Sequence, residues 1–137
     1  MQKDLIKNEK LPSLLIDHLL SEIVNENSGK ASLTLLGECC NLSESRCSQI
    51  MALPNFMKAI DRVMRKCQQE ELLSSCLWIL TNGVINSGKE FQMVLDSNIM
   101  VHVALSARTH TTCSYRYEVV WFISAVINKL TDPNKFI

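Results

Sequence analysis

The sequence has no excess of either charge: across 137 residues, fourteen Lys and Arg balance fourteen Asp and Glu. Attraction to nucleic acid or to an acidic membrane surface therefore has no global basis, and any charge-driven binding must be local. There is no C-x-x-C pair among the six cysteines, Cys39, Cys40, Cys47, Cys67, Cys76 and Cys113. Most fall in apolar helical patterns, so they read as reduced packing residues rather than as disulfide staples or metal ligands. No stretch approaches the roughly 20 apolar residues of a membrane span. The first ten residues, MQKDLIKNEK, mix Lys with Asp and Glu and read as neither a signal nor a transit peptide. Val/Ile-rich strands alternating with helices are also missing, which argues against a parallel α/β sheet.

What is present is a globular balance, 47% hydrophobic and 20% charged, in enough chain for about one domain. Helical spacing dominates. Residues 12–25, PSLLIDHLLSEIVN, set Leu15, Ile16, Leu19, Leu20 and Ile23 on one face after a Pro suited to a first turn. Gly29 is expected to break this helix, and a second apolar segment runs from Lys30 to about Leu42. The polar run SESR separates it from residues 47–53. Pro54 and Asn55, a plausible N-cap, then introduce FMKAIDRVMRK, with Phe56, Ile60, Val63 and Met64 in helical period. Glu70 and Glu71 precede the most apolar helix, LLSSCLWILTN, at the end where carboxylates suit the helix dipole.

The order then recurs: a short helix EFQMVLD, a break SN, a helix IMVHVALSAR, a polar loop THTTCS and a long helix YEVVWFISAVIN. Trp78 and Trp121 stand 43 residues apart, as do Asn55 and Asn98, and Pro12 and Asn55. Such a period marks helical repeats of the armadillo or HEAT type, about 40–47 residues per unit.

The segment WILTNGVINSGKEFQMVLDSNIM resembles the armadillo repeat of importin-alpha (karyopherin alpha), which carries W-A-L-x-N on its third helix and V-x-D-A-G-A before the next second helix. Trp78, Leu80 and Asn82 match the first signature; Val94, Asp96 and the turn Ser97-Asn98 stand for the second. Glu118 and Trp121 match the third helix of the following unit, where Ala125 replaces Asn. In the first unit Asn41 is retained and Gly37 stands where Trp would be. The resemblance implies an all-α right-handed solenoid of about three repeats, approximately 1–42, 43–85 and 86–128, then the start of a further unit. It also implies a groove in which indoles flank the cations of a bound Lys or Arg and the Asn amide grips the peptide backbone. The implied peptide-binding residues are Trp78, Asn82, Trp121, Glu118, Ser75 and Asn41, Ser75 replacing a polar or acidic family residue.

On this reading the chain is a nuclear-import adaptor, in cytoplasm and nucleus, for lysine- or arginine-rich localisation segments of cargo proteins, with other transport factors as further partners. It has no catalytic residues, metal, cofactor, nucleic-acid or membrane partner. MQKDLIKNEK is not the basic segment by which the family recruits importin-beta. The alternative is an armadillo scaffold that docks a folded partner, or a second copy through uncapped repeat ends.

Other motifs carry less. GVINSGKE, residues 83–90, spells G-x-x-x-x-G-K, but Glu90 replaces the Ser or Thr that would ligate Mg²⁺, and the preceding residues read as helix rather than strand. Its Gly and Ser residues are expected to form a loop between repeats. His110 and Cys113 lie three apart in a polar loop with no third orienting group. His18 and His102 have no ligand-spaced partners, Cys39-Cys40 points to two sides of a helix, and Arg62, Arg65 and Lys66 form a small solvated basic face.

Overall fold

A computed structural model describes residues 5–21, 25–66 and 69–132. Among these residues there is no strand. Eight α-helices follow one another: α1 Leu11–Leu20, α2 Glu26–Cys40, α3 Glu44–Met51, α4 Phe56–Lys66, α5 Glu70–Asn86, α6 Gln92–Asp96, α7 Ile99–Thr109 and α8 Cys113–Thr131. A 3₁₀ turn, Lys89–Phe91, leads into α6.

Caps decide where several of these helices begin. α1 has Pro12 in its first turn, buries Leu15, Ile16 and Leu19, and ends at Leu20 rather than continuing to residue 25. Ser21 is extended, its N–H and hydroxyl both donate to His18 O, and the Arg62 guanidinium from α4 donates to Leu20 O. A cation at that carbonyl end complements the helix dipole. Ile23 and Cys67 lie outside the described residues.

Gly29 does not break a helix; it is buried inside α2, and its N–H makes a first-turn bond of 2.8 Å to Asn25 O. The start is set instead by Asn25, whose Oδ1 accepts from Ser28 N at 2.9 Å while Ser28 Oγ accepts from Asn25 N at 3.0 Å. This reciprocal box satisfies two amide donors that a helix start otherwise leaves open. Asn25→Ala is expected to destabilise the fold by about 1 kcal/mol, read from the urea midpoint; an unchanged midpoint would mean that the cap does not form.

Three more expectations change. The run SESR is not a linker: Ser43 caps α3 by accepting from Arg46 N at 3.0 Å, and Glu44, Ser45 and Arg46 form its first turn. The inter-repeat loop does not begin at Gly83, because α5 runs through it to Asn86. Gly83 is buried there, and a Cβ at that position would sit 2.9 Å from Met51 Sδ of α3. Close helix approach, not turn formation, accounts for the glycine. α8 likewise starts four residues before the expected Tyr117, since Thr112 Oγ1 accepts from Tyr115 N.

Packing follows the sequence period. α5 packs on both α2 and α8, and α4 on both α1 and α7; α1 also packs on α2, α4 on α5 and α7 on α8. Several hydrogen bonds join residues roughly one such spacing apart in sequence. Lys30 Nζ meets Glu71 Oε2 at 3.0 Å, Gln69 Nε2 donates to Glu26 Oε2 at 2.8 Å, and Lys129 Nζ donates to Ser87 O at 2.6 Å. Their separations are 41, 43 and 42 residues. The core between the rows includes the wholly buried Leu33, Leu36, Phe56, Ile60, Leu73, Leu77, Phe91, Tyr115 and Phe122.

Candidate peptide-binding face

Trp78 and Asn82 are four residues apart on α5, hence on one side of the helix, and Trp121 occupies the corresponding side of α8. The two indoles are held differently. Trp78, 36% exposed, lies across Gly37 of α2, so close that a Cβ on Gly37 would be 2.0 Å from Trp78 Cζ3. Gly37 is thus the seat for the next unit's indole, at the position where its own unit would carry one. Trp121 is 53% exposed and its ring stacks on Tyr117, with centroids 6.2 Å apart and planes at 27°.

The amides are partly committed. Asn82 Nδ2 donates to Trp78 O at 2.9 Å, one turn back on its own helix, which leaves its carbonyl oxygen to accept from a peptide N–H. Asn41 ends α2 as its C-cap, and its Oδ1 accepts from Asn86 Nδ2 at 3.2 Å. It therefore ties α2 to the end of α5. Ser75 donates to Glu71 O at 3.1 Å and offers no charge, while Glu118 is half-buried on α8.

Between α5 and α8, near their C-terminal ends, opens a cleft of about 390 Å³ lined by Ile85, Trp121, Ser124, Ala125, Asn128, Lys129 and Asp132. Trp78 and Asn82 are not part of its lining. Of the six residues expected to act, the structure sets Trp78, Asn82 and Ser75 on α5 and Trp121 and Glu118 on α8, with Trp121 alone of the six on this cleft. Lys129 is drawn toward Ser87 O and stands 5.9 Å over the Phe91 ring. Sequence reasoning missed Tyr117, Ile85 and Asn128. The Tyr117/Trp121 spacing of four was a readable sign of a stacked pair; Ile85 and Asn128 meet only through helix packing.

Comparison of the chain with protein-family models, with curated proteins and with solved structures found no significant match.

Elsewhere the candidate chemistry disperses. Residues 83–86 are helical, and the Gly88 amide of the G-x-x-x-x-G-K run donates to Glu90 Oε2 at 3.1 Å, so a carboxylate occupies a position where that motif would hold phosphate. His110 Nδ1 lies 4.0 Å from Glu70 Oε2, beyond hydrogen-bond reach, and no hydrogen bond joins His110 to Cys113 among the described residues. His102 Nε2 lies 3.0 Å from Asp61 Oδ1, an α4–α7 contact. No group of three or more His, Cys, Asp or Glu among the described residues could hold a metal ion.

Cys39, Cys40, Cys47 and Cys76 are buried, and Cys113 is exposed. Its hydrogen bond to Cys47, together with burial, pushes the Cys40 thiol above its ordinary range, and burial raises Cys39. Burial also raises the Tyr115 hydroxyl, which shares a 2.6 Å hydrogen bond with Ser106 Oγ. These groups favour their neutral forms and behave as packing residues.

Proposed function

We propose that the chain is an armadillo-type right-handed solenoid of three units that binds an extended lysine- or arginine-rich segment of a partner protein, as importin-alpha adaptors do. The observation that carries this reading is the exposed Tyr117/Trp121 pair beside the α5–α8 cleft. An indole face open to solvent holds a cation with about 0.5–2 kcal/mol, more as water is excluded. The solenoid reading is supported by the two helix rows and by inter-unit hydrogen bonds near the sequence period. In this arrangement a lysine stem lies along the exposed face of Trp121, Asn82 Oδ1 accepts a peptide N–H, and Glu118 contributes a counter-charge. Such an adaptor would work in both cytoplasm and nucleus.

A second reading has its own observation. Trp78 is half committed to Gly37, Ser75 is neutral and Lys129 lines the cleft, so the face is less acidic than one tuned to cations. Those features favour a scaffold that docks a folded partner.

Titration with a fluorescent lysine-rich localisation peptide separates the two. Saturable binding is expected, weakened about 2- to 30-fold by Trp121→Ala at unchanged helicity. No saturable binding by the folded wild-type chain would reject the adaptor reading.

A further inference from the structure

We infer that the outer face of α8 is a self-association surface, on which α8 of a second copy packs antiparallel. The inference stands on α8 alone and is independent of peptide binding. Val120, Ile123, Ile127 and Leu130 are between 39% and 61% exposed. Their successive spacings are three, four and three residues, and Arg116 extends the same stripe one turn earlier. A 3-4 alternation of aliphatic side chains is the seam of two helices crossing at about 20°, knobs of one in holes of the other. The occupant that fits this face is therefore another α-helix.

The same positions are already used inside the fold. One period earlier, 43 residues back, stand Leu77, Leu80 and Val84 of α5; all three are wholly buried, and α8 packs along α5. Among the described residues no helix covers α8 as α8 covers α5. The stripe thus continues an established helix–helix interface outward. A second copy supplies a helix of matched length and spacing, and a two-fold contact uses the same patch on both sides.

Charge selects the direction. Antiparallel pairing sets Val120 against Leu130 and Ile123 against Ile127, so every member of the stripe has a partner. It carries Arg116 of each copy toward the other's α8 C-terminus, where open carbonyls hold partial negative charge. Parallel pairing would oppose the two Arg116 side chains and align both dipoles. Trp121 lies about 100° round the helix from Val120, so the seam leaves the indole free.

Sedimentation of the full chain with Cys113→Ser, which removes the exposed thiol, tests the interface over micromolar to sub-millimolar concentrations. A concentration-dependent dimer is expected. Ile123→Glu and Ile127→Glu should each weaken it by at least about a hundredfold, because a carboxylate would be buried unpaired. Both sites are exposed in one copy, so helicity should not change, and melting should not change at concentrations low enough for every chain to be monomeric. A monomer throughout the range overturns the inference and leaves the seam to a helix of another protein. A dimer that survives both substitutions also overturns it. In the chain retaining Cys113, rapid oxidative cross-linking of that residue within the dimer would overturn the antiparallel arrangement, which places the two thiols at opposite ends.

Discussion

Phe122→Ala is expected to lower the stability of the fold by about 3–5 kcal/mol, whereas Trp121→Ala, one residue earlier, should cost less than about 1 kcal/mol. The two aromatics have comparable bulk and the same helix. Phe122 is wholly buried, and its removal leaves a cavity that the neighbouring core side chains fill only in part. Trp121 is turned about 100° from it, half exposed and stacked only on Tyr117 among ring partners. For a chain of this size the first loss is a large share of the about 5–15 kcal/mol typical of a domain. Urea unfolding of both variants decides the matter: equal losses would mean that α8 is rotated from the orientation described, and with it the exposure of the candidate site.

Gly37→Ala is expected to destabilise by about 1–3 kcal/mol, although Gly to Ala inside a helix ordinarily stabilises by about 1 kcal/mol. The sign reverses because the new methyl would stand 2.0 Å from Trp78 Cζ3, 2.7 Å from Cε3 and 2.8 Å from Cη2. A planar indole cannot bend away, so the whole ring must swing outward or α2 and α5 must separate. Tryptophan emission should shift to the red as Trp78 meets more water. In a Trp78→Ala background the obstacle is gone, and the same substitution should stabilise by its ordinary amount. That inversion in a double-mutant cycle is a specific signature of the contact. A stabilising Gly37→Ala in the wild type would show that the indole does not rest there.

The helices that were readable are those whose apolar residues fall in a 3.6-residue period between clear stops. FMKAIDRVMRK became α4 with the expected Phe56, Ile60, Val63 and Met64 buried. IMVHVALSAR lies in α7, and the third helices of the second and third units lie in α5 and α8. The errors cluster at glycine and at serine. Glycine suggests a break at residue 29 and an inter-repeat loop at residue 83, but its low helix propensity is a weak preference that tertiary contacts override. At Gly83 the overriding contact is Met51. SESR was read as linker because its residues are polar, while Ser43 in fact starts a helix whose first turn faces solvent.

The candidate site was legible by type and not by geometry. Trp78, Asn82 and Trp121 could be named only through the resemblance to the importin-alpha repeat, and each does lie on the helix expected for it. Spacing could not reveal that Asn82 donates to Trp78 O, or that Asn41 is tied to Asn86. The first is a local choice of side-chain rotamer and the second a contact between two helices, and periodicity encodes neither.

By itself the sequence determined that the chain is helical and which side chains of most helices seek the core; local propensity and apolar spacing suffice for those. Tertiary structure alone decided that Trp78 is spread over Gly37 while Trp121 stands open, and that Leu77, Leu80 and Val84 are covered while Val120, Ile123 and Ile127 are not. The physical reason is the same in both cases. Positions 43 residues apart on α5 and α8 carry similar residues, but exposure depends on whether another helix lies against them, and that is a property of packing order rather than of residue type.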